Sequence, residues 1–110
     1  MLTRTEEHAL IAAARSGDAA AGRRLAEAYA FLVGPLLDLR HRMLADMAPH
    51  AAGPFLAARA GIAARCLADM ATAAPHVRMD DSPLLPHFRA AITRTAADAA
   101  KTISLFGTLV

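Results

Sequence analysis

The chain has no tryptophan, one lysine, one cysteine and five aromatic residues in 110. Each scarcity excludes something. A single cysteine, Cys66, closes no internal disulfide, so the sequence lacks the framework of a small secreted fold. The aromatics (Tyr29, Phe31, Phe55, Phe88 and Phe106) are scattered, which leaves no clustered platform for stacking bases. Four Ile and three Val are too few for a β protein of this length. No uncharged apolar run reaches the ~20 residues that a membrane span requires. The opening Met-Leu-Thr-Arg-Thr-Glu-Glu carries acid where a secretory signal carries base and a long apolar run, so a cytoplasmic location is expected.

Catalytic signatures are missing too. There is no Gly-x-Gly-x-x-Gly, no P-loop and no Gly-x-Ser-x-Gly. The five histidines (His8, His41, His50, His76 and His87) form no pair at metal-ligand spacing on one helix face. The adjacent pairs Glu6/Glu7 and Asp80/Asp81 point to different faces and make no acid/base dyad. Cys66 sits mid-helix with Arg65 as its one adjacent charge; a catalytic thiol wants an exposed, electropositive setting and a His partner, and Cys66 reads as a small core filler. The expectation is a non-enzymatic protein with no metal and no cofactor.

What is abundant is alanine: 29 residues, with 14 Leu behind it. Alanine is the best helix former, and its small side chain lets helices approach closely. The length fits one domain with a thin core. A net charge of +2 permits nucleic-acid contact without requiring it.

Helix punctuation runs along the whole chain. Thr3-Arg4-Thr5-Glu6 fits a capping box and starts a first helix over Arg4 to Arg15, with acid in its first turn. Gly17 stops it and Asp18 caps a second helix, whose apolar stripe is Ala21, Leu25, Ala28/Tyr29, Leu32 and Val33. Gly34-Pro35 breaks or kinks that helix. A third, about 35–48, presents Leu36, Leu39/Arg40, Met43 and Met47. Pro49 to Gly53 reads as a loop. Pro54 opens a fourth helix with the stripe Leu56, Ala60, Ala63, Leu67, Met70 and Ala74, where Ala60/Ala63 permits close packing. Pro75 ends it. After the polar connector 75–83, Ser82-Pro83 starts a fifth helix with Leu85, Phe88, Ala91/Ile92, Thr95, Ala99, Ile103 and Phe106, closed by Gly107. The predicted fold is all-α, a single domain over 1–110 built as a small bundle of four to five helices.

One stretch carries a family likeness. Leu2-Thr3-Arg4-Thr5-Glu6-Glu7, then Ala14-Arg15-Ser16-Gly17-Asp18, then Arg23-Arg24-Leu25-Ala26-Glu27-Ala28 and Leu32-Val33 resemble bacterial sigma factors, from the end of region 1.2 into region 2. The likeness covers about 32 residues, and the helices over 1–48 form its sigma-like part, against two longer helices over 54–107. Leu36-Leu37-Asp38-Leu39 is similar to the start of the next sigma element, Asp-Leu-Ile-Gln-Glu-Gly-Asn, which docks on RNA polymerase. Here Arg40-His41-Arg42-Met43 replaces the Ile-Gln-Glu-Gly part, and the family's aromatic promoter-melting segment has no counterpart. The resemblance implies a cytoplasmic transcription regulator, an activator or antiterminator, that binds RNA polymerase without melting DNA. The regulators of alphaproteobacterial gene transfer agents include a short polymerase-binding component of this description.

The expected contact residues, for polymerase or nucleic acid, are Arg23, Arg24, Asp38, Arg40 and Arg42. The competing expectation is a helical protein-interaction module, a homo-oligomer whose Ala-rich faces and apolar tail from Leu105 to Val110 meet a partner.

Overall fold

The fold is a computed structural model, and it describes residues 2–77 and 84–109. Among the described residues it is all-helical. Six α-helices follow in order: α1 Arg4–Arg15, α2 Ala19–Ala28, α3 Val33–Met47, α4 Pro49–Ala57, α5 Arg59–Ala73 and α6 Leu84–Phe106. Short 3-10 turns cover Ala30–Leu32 and Ala74–His76.

The N-terminal punctuation acts as the sequence predicts. The Thr3 hydroxyl accepts the Glu6 N–H at 3.1 Å, and the Glu6 carboxylate accepts the Thr3 N–H at 3.2 Å. Both would otherwise be orphan donors at a helix start. Gly17 turns the chain at φ +101°, where a Cβ would be strained. The Asp18 carboxylate then accepts from the N–H groups of Ala20 and Ala21. Gly107 closes α6 at φ +77°.

The spine is α6, whose 23 residues span about 34 Å at 1.5 Å per residue. Alongside it lies α5, and α2 packs on the other side of α5. The first helix packs on α2 and on the turn after α5. Arg15 makes that second contact. Its Nε donates to the Pro75 carbonyl at 2.9 Å, and a terminal nitrogen donates to the Val77 carbonyl. At this end Tyr29 meets Phe88 of α6 edge-on, with ring centroids 5.3 Å apart. At the other end α3 and α4 pack on α6, and His50 Nε2 lies 3.2 Å from the Ser104 carbonyl. One continuous apolar cluster joins the ends, with Leu25, Leu37, Phe55, Ile62, Met70, Phe88, Ile92 and Ile103 fully buried.

The structure corrects the sequence reading at several points. Six α-helices replace four or five. The break before α3 falls at Tyr29, and Gly34-Pro35 sits inside the first turn of α3. A proline costs nothing there, because first-turn N–H groups have no helical partner. The expected loop 49–53 is helical, since Pro49 starts α4 and Ala51 and Phe55 anchor it to the core. Pro54 lies within α4 and does not open a helix; the chain turns instead at Ala58. The α3 and α5 stripes are displaced in part, while that of α6 holds from Phe88 to Ile103. In α3 the buried residues are Val33, Leu37 and Leu44; in α5 they are Ile62, Cys66 and Met70. Leu56 and Phe106 are exposed. Ala60 is exposed and Ala63 half-buried. A close helix approach is found at Gly22 of α2, where a Cβ would stand 2.8 Å from the Ala71 carbonyl oxygen of α5. The expected start at Ser82-Pro83 lies outside the described residues, and Pro86 is accommodated in the first turn of α6.

Candidate functional site

The outer side of α3 follows from how that helix meets the core. Val33, Leu37 and Leu44 share the inward side. At about 100° per residue, Leu39, Met43 and Met47 form a second row about 140°, 100° and 60° away from it. That row is apolar, and it faces water: Leu39 is 46%, Met43 38% and Met47 80% exposed. Leu36 is half-buried beside it. At the same end of the bundle α6 runs out past the core, with Leu105 66% and Phe106 70% exposed. The His50–Ser104 contact ties the two places together, three residues after Met47 and one before Leu105. Phe31 and Leu56 add further exposed apolar surface elsewhere.

The charged candidates are spread over two helices. Arg23 and Arg24 are exposed on α2; on α3, Arg42 is exposed and Arg40 half-buried. The two helices each pack on α5 and have no packed seam with one another. Acidic neighbours temper the charge. The Glu6 carboxyl sits below the usual carboxylate range, chiefly because it accepts the Thr3 N–H, then through the Thr3 side chain, with Arg24 adding a smaller attraction. Asp38 is engaged within the chain: it pairs with Arg59, whose guanidinium also donates to the Gly34 carbonyl at 3.3 Å. That pair pins the start of α5 to α3.

A second feature is a cleft of about 680 Å³ between α5 and α6. It brings together Asp69, Thr72, His76, His87, Arg94 and Asp98, a convergent polar set that the sequence does not display. At its wall the buried Thr95 hydroxyl donates to Asp69 at 2.6 Å. Among the described residues no group of three or more His, Cys, Asp or Glu is placed to hold a metal ion. Cys66 does not line the cleft. It is fully buried, and burial, with a smaller repulsion from Asp69, pushes its thiol up to about 11. At neutral pH it therefore carries almost no thiolate. No described helix is long and apolar enough to cross a membrane.

Sequence reasoning missed both features for the same reason. The α3 stripe has core spacing, and the cleft residues meet only when α5 and α6 lie side by side. Only one signal was available. Met47 lies in the last turn before Pro49, where a short α4 folding back leaves little to cover it.

Comparison of the chain with protein-family models, curated proteins and solved structures returns no match.

Proposed function

We propose that this chain is a non-enzymatic protein-binding module that docks through the outer side of α3. The observation that carries this reading is the exposed row Leu39, Met43 and Met47. Folding leaves an apolar stripe at helical spacing in water. Such a stripe, flanked by Asp38, Arg42 and Asp46, has the form of an interaction surface with an apolar centre and a charged rim. Methionine suits the role, because its flexible thioether adapts to a partner's shape.

RNA polymerase is the partner the sigma-like N-terminal stretch suggests, and Arg40 and Arg42 lie beside the stripe on the segment that follows it. The chain would act there as an activator or antiterminator, adding contacts without opening DNA. The test is co-purification. A tagged chain at mild salt should bring down polymerase subunits. Leu39→Glu with Met47→Glu should abolish recovery, and charge reversal at Arg40 and Arg42 should weaken it. If the folded wild-type chain recovers no polymerase, the partner assignment is wrong.

A further inference from the structure

We infer that the α3 stripe is a self-docking surface, and that the free protein is a two-fold symmetric dimer with α3 of each copy packed antiparallel on α3 of the other. The inference rests on reading the outer side of α3 as a docking surface, but not on polymerase being the partner. Three observations support a second copy as the occupant.

The first is shape. The chain exposes 6388 Å², against about 5,800 Å² for a compact monomer of its mass. Its radius of gyration is 15.1 Å, against about 13 Å for 110 residues folded compactly. Its extents of 45 × 22 × 19 Å describe a rod about twice as long as it is wide. A rod of that kind leaves a long flank uncovered, and pairing along the flank removes the surplus.

The second is area. Leu39, Met43, Met47, Leu105 and Phe106 expose from 38 to 80% of their surface. At roughly 200 Å² per large side chain they offer roughly 600 Å² per copy. Two copies together reach roughly 1,200 Å², the lower bound for a stable interface. The expected affinity is therefore micromolar, not nanomolar.

The third is charge register. Asp38, Arg42 and Asp46 recur every four residues along the flank of the stripe, with signs alternating minus, plus, minus. An antiparallel pair with its two-fold axis near residue 44 sets Arg42 of each copy opposite Asp46 of the other. The same axis seats each Met43 between Met43 and Met47 of the facing helix, as knobs-into-holes packing requires. The flank is thus complementary to itself when reversed, which two-fold pairing demands.

One consequence is regulatory. A partner that uses the stripe must first separate the copies, so self-association and partner binding compete.

Sedimentation equilibrium on the purified full chain tests this. Wild type should show a concentration-dependent monomer–dimer equilibrium in the micromolar range. Leu39→Glu with Met47→Glu should weaken it at least about tenfold while helical circular dichroism is unchanged, since both positions face water. Arg42→Asp and Asp46→Arg should each weaken association, and the two together should restore it. A chain that stays monomeric throughout overturns the inference. So does a dimer indifferent to Leu39 and Met47, and a double charge swap no better than its singles overturns the antiparallel register. The polymerase question stays separate. A monomer that still captures polymerase sinks the dimer alone, and a dimer that captures none sinks only the polymerase reading.

Discussion

Gly22 offers the sharpest check on the packing described above. It lies in the middle of α2, where helix propensity alone makes glycine a poor choice. Replacing an interior helical glycine by alanine ordinarily gains up to about 1 kcal/mol. At Gly22 the added Cβ would stand 2.8 Å from the Ala71 carbonyl oxygen and 3.5 Å from its carbon. These are backbone atoms, so no flexible side chain can give way. The α2–α5 seam must open by about half an ångström, loosening Leu25 and Ala26 as well; overpacking of this kind costs about 1–3 kcal/mol. The net expectation for Gly22→Ala is a loss of about 1 kcal/mol or more. Gly61 supplies the control. It is also helical, in α5, and a Cβ there meets nothing within 4 Å. Gly61→Ala should gain about 0.5 kcal/mol, discounted because it sits in the first turn. The two variants should then differ by about 1.5 kcal/mol, or about 1 M in urea midpoint. Urea unfolding followed by circular dichroism at 222 nm reads this directly. If both substitutions stabilise equally, the close α2–α5 approach is wrong.

Three further outcomes follow from single residues. Thr3→Ala removes one half of the capping box and should cost about 1 kcal/mol in the same unfolding assay, whereas Thr3→Ser should cost little. Tyr29 is the sole tyrosine, and burial, then its hydrogen bond to Glu7 and the Glu7 charge, push its phenol up to about 12. Absorbance at 295 nm should titrate near 12 in the folded chain and near 10 in urea. A folded pKa above the unfolded one adds stability in full below pH 10, lost as the pH climbs towards 12; a native midpoint near 10 contradicts the packing of Tyr29. Cys66 should react with a water-soluble disulfide reagent at pH 8 only as fast as the chain opens, and rapidly once it is unfolded. Fast labelling of the folded protein would place the thiol outside the core.

The sequence announces helix ends well and helix faces poorly, for physical reasons. Caps are local. Thr3, Asp18, Gly17 and Gly107 each act through a hydrogen bond or a backbone angle within a few residues, so their meaning survives without tertiary context. Proline is less decisive. Pro35 and Pro86 sit in first turns, where the missing N–H is harmless, while Pro54 sits inside α4, where Ala51 and Phe55 bury enough to hold the helix. Gly22 shows the opposite failure. Nothing around it in sequence distinguishes a glycine required by a neighbouring carbonyl from one that is merely tolerated. The α5–α6 cleft is illegible in the same way, because Asp69 and Asp98 become neighbours only when the two helices lie side by side.

Faces fail for a deeper reason, and α3 shows it. The row Leu36, Leu39, Met43 and Met47 has the spacing of a core stripe, and so does the row Val33, Leu37 and Leu44. Periodicity measures which residues would like to leave water together; it does not say which surface will receive them. A helix with two apolar rows in a thin bundle can turn only one of them inward. The other is then either an accident or a surface for another molecule. Chance disfavours the accident. The second row keeps its spacing over three residues, ends in a methionine 80% exposed, and is edged by charges of alternating sign on a chain only 20% charged overall. A mutation that merely tidied the surface, Met47→Gln, would raise solubility and leave folding intact. If it also leaves self-association and partner capture intact, the second row is an accident. If it weakens either, the row misread as core is the part of the helix that faces another chain.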